Sequence, residues 1–196
     1  MKKLFFITAI ISGSFIANAQ HVQFGLKGGL NVATVNIDNS NLNVDPRISA
    51  HVGGLAHIHL SKEFALQPEL TFSGQGYQVN GSGNNSDQHV NLSYINLPVL
   101  LQYMFESGFR IETGPQLGLL VGAKYKVGSV ETDIKDSFKK VDIGWGLGLG
   151  YITKSGFGID ARYNLGLSKI NDNNSDKVTN RVFQAGVFYQ FKTMKH

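Results

Sequence analysis

The sequence predicts an all-β protein: an eight-stranded antiparallel up-and-down transmembrane β-barrel with short periplasmic turns and longer extracellular loops. Three observations carry this. First, long segments alternate large apolar residues with small or polar ones. Val141-Asp-Ile-Gly-Trp-Gly-Leu-Gly-Leu-Gly-Tyr151 is the plainest case. Successive strand side chains point to opposite faces, so one face here is greasy and the other carries glycine and charge. Second, charge keeps to the second face, giving an apolar outside and a polar inside. A soluble lipocalin-like barrel shows the inverse pattern. Third, the connections alternate between short and long, as in outer-membrane barrels.

The elements follow in order. Residues 22–35 turn Val22, Phe24, Leu26, Leu30 and Val32 outward, with Gln23, Lys27 and Asn31 inward. Residues 48–60 put Ile48, Val52, Ile58 and Leu60 outward, and residues 64–79 do the same with Phe64, Leu66, Pro68, Leu70 and Phe72. Residues 90–105 face Ile95, Leu97, Val99, Leu101, Tyr103 and Phe105 to lipid. In residues 109–125 the outward set is Phe109, Ile111, Thr113, Pro115, Leu117, Leu119, Val121 and Ala123. Residues 141–151 and 157–168 continue the alternation, and residues 181–191 close with Phe183, Ala185, Val187, Tyr189 and Phe191 outward. On this reading no charged residue occupies the outer face. Pro68, Pro98 and Pro115 cannot donate ladder hydrogen bonds and mark candidate bulges in the third to fifth segments.

Ser61-Lys62-Glu63, Glu106-Ser107-Gly108 and Lys154-Ser155-Gly156 are the tight turns; residues 36–47, 80–89, 126–140 and 171–180 are the long loops. Short turns belong on the periplasmic side. Nine aromatics gather near that end on the outer face: Phe24, Phe64, Tyr103, Phe105, Phe109, Tyr151, Phe157, Tyr189 and Phe191. They are read as the periplasmic aromatic girdle, with a sparser outer set of Tyr125, Trp145 and Phe183.

Residues 1–19 read as a cleaved signal peptide and 20–196 as the barrel domain. Met1-Lys2-Lys3 is a positive start, Leu4 to Ile16 an apolar stretch, and Ala17-Asn18-Ala19 a small-residue cleavage site. That stretch is too brief to cross about 30 Å of hydrocarbon as a helix. The chain has no cysteine, which excludes disulfides and thiol chemistry. Without Lys2 and Lys3, 16 of the 18 basic residues remain against 14 acidic ones. No basic cluster of the kind that binds nucleic acid stands out.

Inside the barrel, Lys27, Glu69, Arg110, Glu112, Asp160 and Arg162 fall at similar heights, three basic and three acidic. In a small lumen such charges satisfy one another, and eight strands leave a lumen filled by side chains. This lumen charge network is read as a structural plug, with a narrow solute channel as the alternative. His57 and His59 share an inner face, and His51 lies farther along it; a third metal ligand is missing. Asp172-Asn173-Asn174-Ser175-Asp176 starts like a calcium loop, but Lys177 stands where glycine is needed and Phe183 where glutamate is needed. His89, Ser86, Asp87 and Ser93 sit at the outer rim, where an outer-membrane hydrolase would carry its chemistry; an oriented base and oxyanion site are not evident. No metal, cofactor or catalytic residue is assigned.

Several motifs carry a family resemblance: Phe24-Gly-Leu-Lys-Gly-Gly-Leu-Asn31, Gln67-Pro-Glu-Leu70, Tyr94-Ile-Asn-Leu-Pro-Val-Leu-Leu-Gln-Tyr103, Gly114-Pro-Gln-Leu-Gly118 and the glycine-alternating run. Over about residues 24–191 the chain resembles the PorT-like outer-membrane β-barrel family, small Gram-negative outer-membrane barrel proteins. The resemblance implies the fold and the cell outer membrane as location, with Tyr189-Gln190-Phe191 as the closing aromatic strand end. Namesake members assist protein secretion, which makes envelope or secretion-system proteins candidate partners besides outer-membrane lipid. The expected function is a non-enzymatic envelope scaffold, adhesion or secretion-accessory protein acting through its loops; the alternatives are the hydrolase near His89 and the narrow channel.

The leader reading has a direct check. Intact-mass measurement of the protein extracted from membranes should give a chain beginning at Gln20. A membrane-extracted chain that keeps Met1 contradicts it.

Overall fold

The computed structural model describes residues 22–38, 44–79, 88–172 and 176–191. The leader 1–19, Ser86, Asp87 and the tail from Lys192 lie outside the described residues, as do Asn173, Asn174 and Ser175. The elements are β1 (Val22–Ile37), β2 (Asp45–His59), β3 (Phe64–Val79), β4 (Gln88–Met104), β5 (Phe109–Val127), β6 (Val130–Asp133), β7 (Val141–Ile152), β8 (Phe157–Gly166) and β9 (Val178–Gln190). Every strand pairing is antiparallel, and β1 pairs with β9, so the first and last strands of the chain meet. The remaining seam, β4 with β5, closes the wall. Since β6 pairs only with the end of β5, eight strands form the barrel. Closure matters because hydrocarbon offers no partner to an unpaired N–H or C=O.

The alternation decides which face goes where. Leu26, Leu30, Val52, Leu70, Leu147 and Leu149 are exposed on the outer wall, while Lys27, Glu69, Glu112 and Arg162 are buried within. The outer wall also satisfies its few polar groups. Trp145 Nε1 donates to Thr113 Oγ1 at 2.9 Å, and Thr113 Oγ1 donates to the Gly146 carbonyl at 3.0 Å. Trp145 stays exposed on the outer wall, with its indole N–H satisfied by that hydrogen bond.

The tight turns are built in two ways. At 105–109 and 153–157 a residue accepts from the glycine three positions on: Gly108 N donates to Phe105 O and Gly156 N to Thr153 O, both at 3.0 Å. Both glycines have positive φ, 91° and 96°, which side-chain-bearing residues rarely adopt. The third turn has no glycine. Instead Ser61 Oγ accepts from the backbone N–H groups of Glu63 and Phe64 at 3.2 and 3.0 Å.

Four expectations need correction. The register runs without a break past Pro68, Pro98 and Pro115; the shifts fall between Pro46 and His51, and between Ser93 and Tyr94. The second shift leaves Val121 as an extra residue on β5, since Ser93 faces Gly122 and Tyr94 faces Leu120. Beyond it the facing reverses, so Ala123 is fully buried rather than lipid-facing, and Tyr125 packs against interior apolar residues. The outer face is also not free of charge: Arg181 is exposed at the start of β9, paired with Leu165. Finally, residues 126–140 are not simply a loop. Gly128 has φ 55°, and Val127 pairs with Val130 in a two-residue hairpin.

The β1–β9 seam supplies a test. Gly29 pairs with Gly186, and a methyl group added at Gly29 would lie 2.2 Å from the Ala185 carbonyl oxygen. Backbone there cannot yield without opening the seam. Gly29→Val should cost about 1–3 kcal/mol as overpacking, read as a lower urea midpoint in lipid vesicles and a weakened heat-dependent shift on electrophoresis.

Candidate functional site

The lumen is the chemically distinctive part of the molecule. Its geometry begins with β7, whose inner face presents Gly144, Gly146, Gly148 and Gly150. Side chains from neighbouring strands occupy the space so freed. A methyl group at Gly146 would lie 3.3 Å from Arg162 Cδ, one at Gly148 2.9 Å from Glu112 Oε1, and one at Gly150 3.4 Å from Arg110 Cγ.

Arg162 reaches from β8 across this bare strip. Its Nη1 and Nη2 donate to the two oxygens of Glu69 at 3.0 and 2.8 Å, and Nε donates to Glu112 Oε1 at 2.8 Å. This is the planar two-point recognition at which guanidinium excels. Lys27 Nζ lies 3.2 Å from Glu69 and 2.7 Å from Asp160. These five residues are joined by direct ion pairs. Arg110 joins through an amide: it donates to Gln102 Oε1 at 3.3 Å, and Gln102 donates to Glu112 Oε2 at 2.8 Å. Its guanidinium also lies over the Phe188 ring, 5.5 Å from the centroid. Three positive and three negative charges thus share one buried cluster.

Polar amides extend the cluster both ways. Gln67 donates to Glu69 Oε1 at 2.9 Å. Above, Asn31 Oδ1 receives Gln184 Nε2 at 3.0 Å and lies 2.7 Å from His51 Nδ1, while Asn31 Nδ2 donates to Ser73 Oγ at 3.0 Å. Higher still the lumen turns apolar. Val35, Val90, Leu92, Tyr94, Leu120, Ala123 and Ile170 form one buried cluster. Ile170 comes from the connection between β8 and β9 and is fully buried. It is tied down at its backbone: its N donates to Val178 O at 2.9 Å, and its carbonyl receives Lys139 N at 2.7 Å. Phe138 bridges to Asn171, and Asp172 N donates to Ser137 O. Two long connections therefore lock together as a lid.

The other sequence candidates are dispersed. The His57 and His59 rings meet edge-on at 4.6 Å, with His57 Nδ1 facing Gln67 at 3.4 Å. Among the described residues no three His, Asp or Glu side chains are grouped to hold a metal. His89 and Ser93 share a face of β4, but four residues of strand separate them by about 13 Å, too far for a nucleophile and its base. In the calcium-like segment the Asp176 carbonyl accepts from Asn171 Nδ2 at 3.0 Å. The nine aromatics of the turn end are all exposed. Phe64, Tyr103, Phe105 and Phe109 form a chain of ring contacts at 5.2, 4.9 and 5.7 Å, and Tyr189 meets Phe191 at 5.5 Å.

Sequence reading missed Gln102, Phe188 and Ile170. The alternation places Gln102 and Phe188 inward, and Gly158 signals the space that the Phe188 ring occupies, since a methyl there would overlap that ring at 2.2 Å. Ile170 had no periodic signal.

A family model described as outer membrane protein beta-barrel domain matches residues 18–172. A sequence search found no match among curated proteins. Among solved structures the fold is similar to that of Neisserial surface protein A, with TM-score 0.57 and 15% identity over 86% of this chain and 97% of that one. It is also similar to Ail, the attachment invasion locus protein of Yersinia pestis, with TM-score 0.51 and 14% identity over 87% and 99% of the two chains.

The charge cluster predicts a sharp asymmetry. Arg162→Met leaves Glu69 and Glu112 without their shared cation and should cost about 3–5 kcal/mol. Adding Glu69→Gln and Glu112→Gln should restore part of that loss. An exposed change such as Lys177→Ala should stay within about 0.5 kcal/mol. Equilibrium urea unfolding in lipid vesicles reads all three.

Proposed function

The chain belongs to the outer-membrane protein β-barrel domain family, and from that premise we propose that it is a plugged, non-enzymatic envelope protein acting through its extracellular loops and lid. It is an outer-membrane β-barrel protein, seated in lipid by its exposed apolar wall. Scaffold, adhesion and secretion-accessory roles all fall within this reading, and the PorT-like resemblance favours the last. Residues 1–19 direct export and are removed, leaving 20–196 as the barrel domain. The nine aromatics mark the periplasmic interface, and the six lumen charges act as a plug.

The filled interior is the observation that carries the proposal. A neutral cluster of three cations and three anions blocks the middle of the lumen, and seven buried apolar residues block its upper end. A solute would have to displace both. Recognition is left to the outer surface, where barrels of this kind place variable, accessible segments. That surface has substance here: β5 runs for 19 residues, whereas a tilted strand needs about 9–11 to cross the bilayer. Its end and β6 stand clear as a platform bearing Lys124, Lys126, Glu131 and Asp133.

Three measurements test this. In planar bilayers the purified protein should give no stable conductance steps; large, regular steps overturn the plug. On intact cells, photo-crosslinkers placed at Lys126 and Lys177 should capture a protein partner that is lost when the β5–β6 hairpin is shortened. His89→Ala should leave the lipid profile of the envelope unchanged; loss of a lipid modification would favour the hydrolase instead.

A further inference from the structure

Above the Arg162 cluster and below the apolar lid lies one more buried charge. Asp142 opens the inner face of β7 and is 7% exposed. Its Oδ1 accepts from Ser168 Oγ at 2.7 Å, and its Oδ2 from Asn180 Nδ2 at 2.8 Å. Ser168 Oγ itself accepts from Ile143 N at 2.8 Å, so its proton is directed to the carboxylate. Each oxygen of the Asp142 carboxyl group thus has one donor, a hydroxyl on one side and an amide on the other.

Asp142 has no ionic partner among the described residues. The lumen ion pairs join Lys27 and Arg162 to Glu69, Glu112 and Asp160, and none includes Asp142. The lower cluster is neutral in itself and has no positive charge to spare. A lone anion under an apolar lid is unfavourable unless something compensates it.

Other oxygens gather at the same place. Asn180 Oδ1 and Asn96 Oδ1 are buried and accept no hydrogen bond, on residues only 3% and 2% exposed. The Asn180 amide is oriented by its bond to Asp142, so its free atom is oxygen. Tyr94 Oη lies 3.4 Å from Asn180 Nδ2. Gly118 sits in register between Asn96 and Asp142. A methyl group built there would lie 2.9 Å from Asn96 Oδ1, 3.3 Å from the Tyr94 ring and 3.5 Å from Asp142 Cβ. Without a side chain at Gly118, the Asn96 amide oxygen and the Tyr94 ring pack against the wall beside Asp142, which forms a cradle of a carboxylate, an unpaired amide oxygen and a phenol.

We propose that this cradle binds a monovalent hard cation of the sodium class, held by Asp142 with the free oxygens of Asn96 and Asn180. The donor set is all oxygen, which suits hard cations and not zinc or copper. One carboxylate among neutral oxygens matches a single positive charge, whereas a divalent ion would leave the capped lumen positively charged. The site lies inside the barrel and is independent of what the outer loops recognise.

The test is thermal unfolding of the folded protein in detergent micelles, titrated with sodium chloride and, at equal ionic strength, with choline chloride. A cation bound only by the folded state raises the midpoint by mass action. The midpoint should rise saturably with sodium and not with choline. Asp142→Asn should fold and lose the sodium response. Should Asp142→Asn fail to fold, Asn96→Ala carries the test: removing one oxygen should raise the half-saturating sodium concentration about tenfold or more. The proposal is overturned by equal responses to sodium and choline, by a sodium response that survives Asp142→Asn, by an unchanged half-saturation in Asn96→Ala, or by a response to calcium chloride with none to sodium.

Discussion

Between Gly144 and Gly150 the inner face of β7 carries no side chain, and the packing of the whole lumen follows from that bare strip. Arg162 is too long to lie within an eight-stranded barrel unless one wall recedes. The strip is that wall: Arg162 Cδ would meet a methyl group at Gly146, and Glu112 one at Gly148. With room to extend, Arg162 spans from β8 to Glu69 on β3 and Glu112 on β5. Three walls are thereby tied by charge-assisted hydrogen bonds in a water-poor interior. Such a network is costly to break at one member, because the remaining charges stay buried.

The outer wall obeys the opposite rule. Leucine, valine and isoleucine face outward because the solvent there is hydrocarbon, so exposure costs nothing and backbone closure becomes obligatory. The polar groups that do face out are consumed locally, as Trp145 and Thr113 show. The extra charge at Arg181 lies at the strand end, where a long side chain can reach the interface.

At the extracellular end the architecture changes character. One extra residue at Val121 reverses the facing of β5, so Ala123 turns in and joins Leu120, Val90, Leu92 and Tyr94 in one apolar cluster. The connections carrying Phe138 and Ile170 then close over that surface and bond to each other. The lumen therefore holds a charge cluster in its middle and an apolar cluster at its top, with Asp142 between them.

Much of this was legible in the chain itself. Period-two alternation fixes which side chain faces lipid, because a strand offers only two faces. The short and long connections then order the strands, and the six lumen charges stand out because nothing else inside is charged at that height. Three things needed the tertiary structure. The bulge at Val121 arises from pairing between β4 and β5, and Pro68, Pro98 and Pro115 were misleading because each is accommodated without a shift in register. The placement of Ile170 and the interlock of the lid depend on two connections distant in sequence. The convergence of Asn96, Asp142 and Asn180 is set by barrel closure, since they lie on β4, β7 and β9. Alternation is a local property of the backbone and can be read from one strand at a time; cross-lumen contact depends on how strands stagger when the sheet closes, and no single strand carries that information.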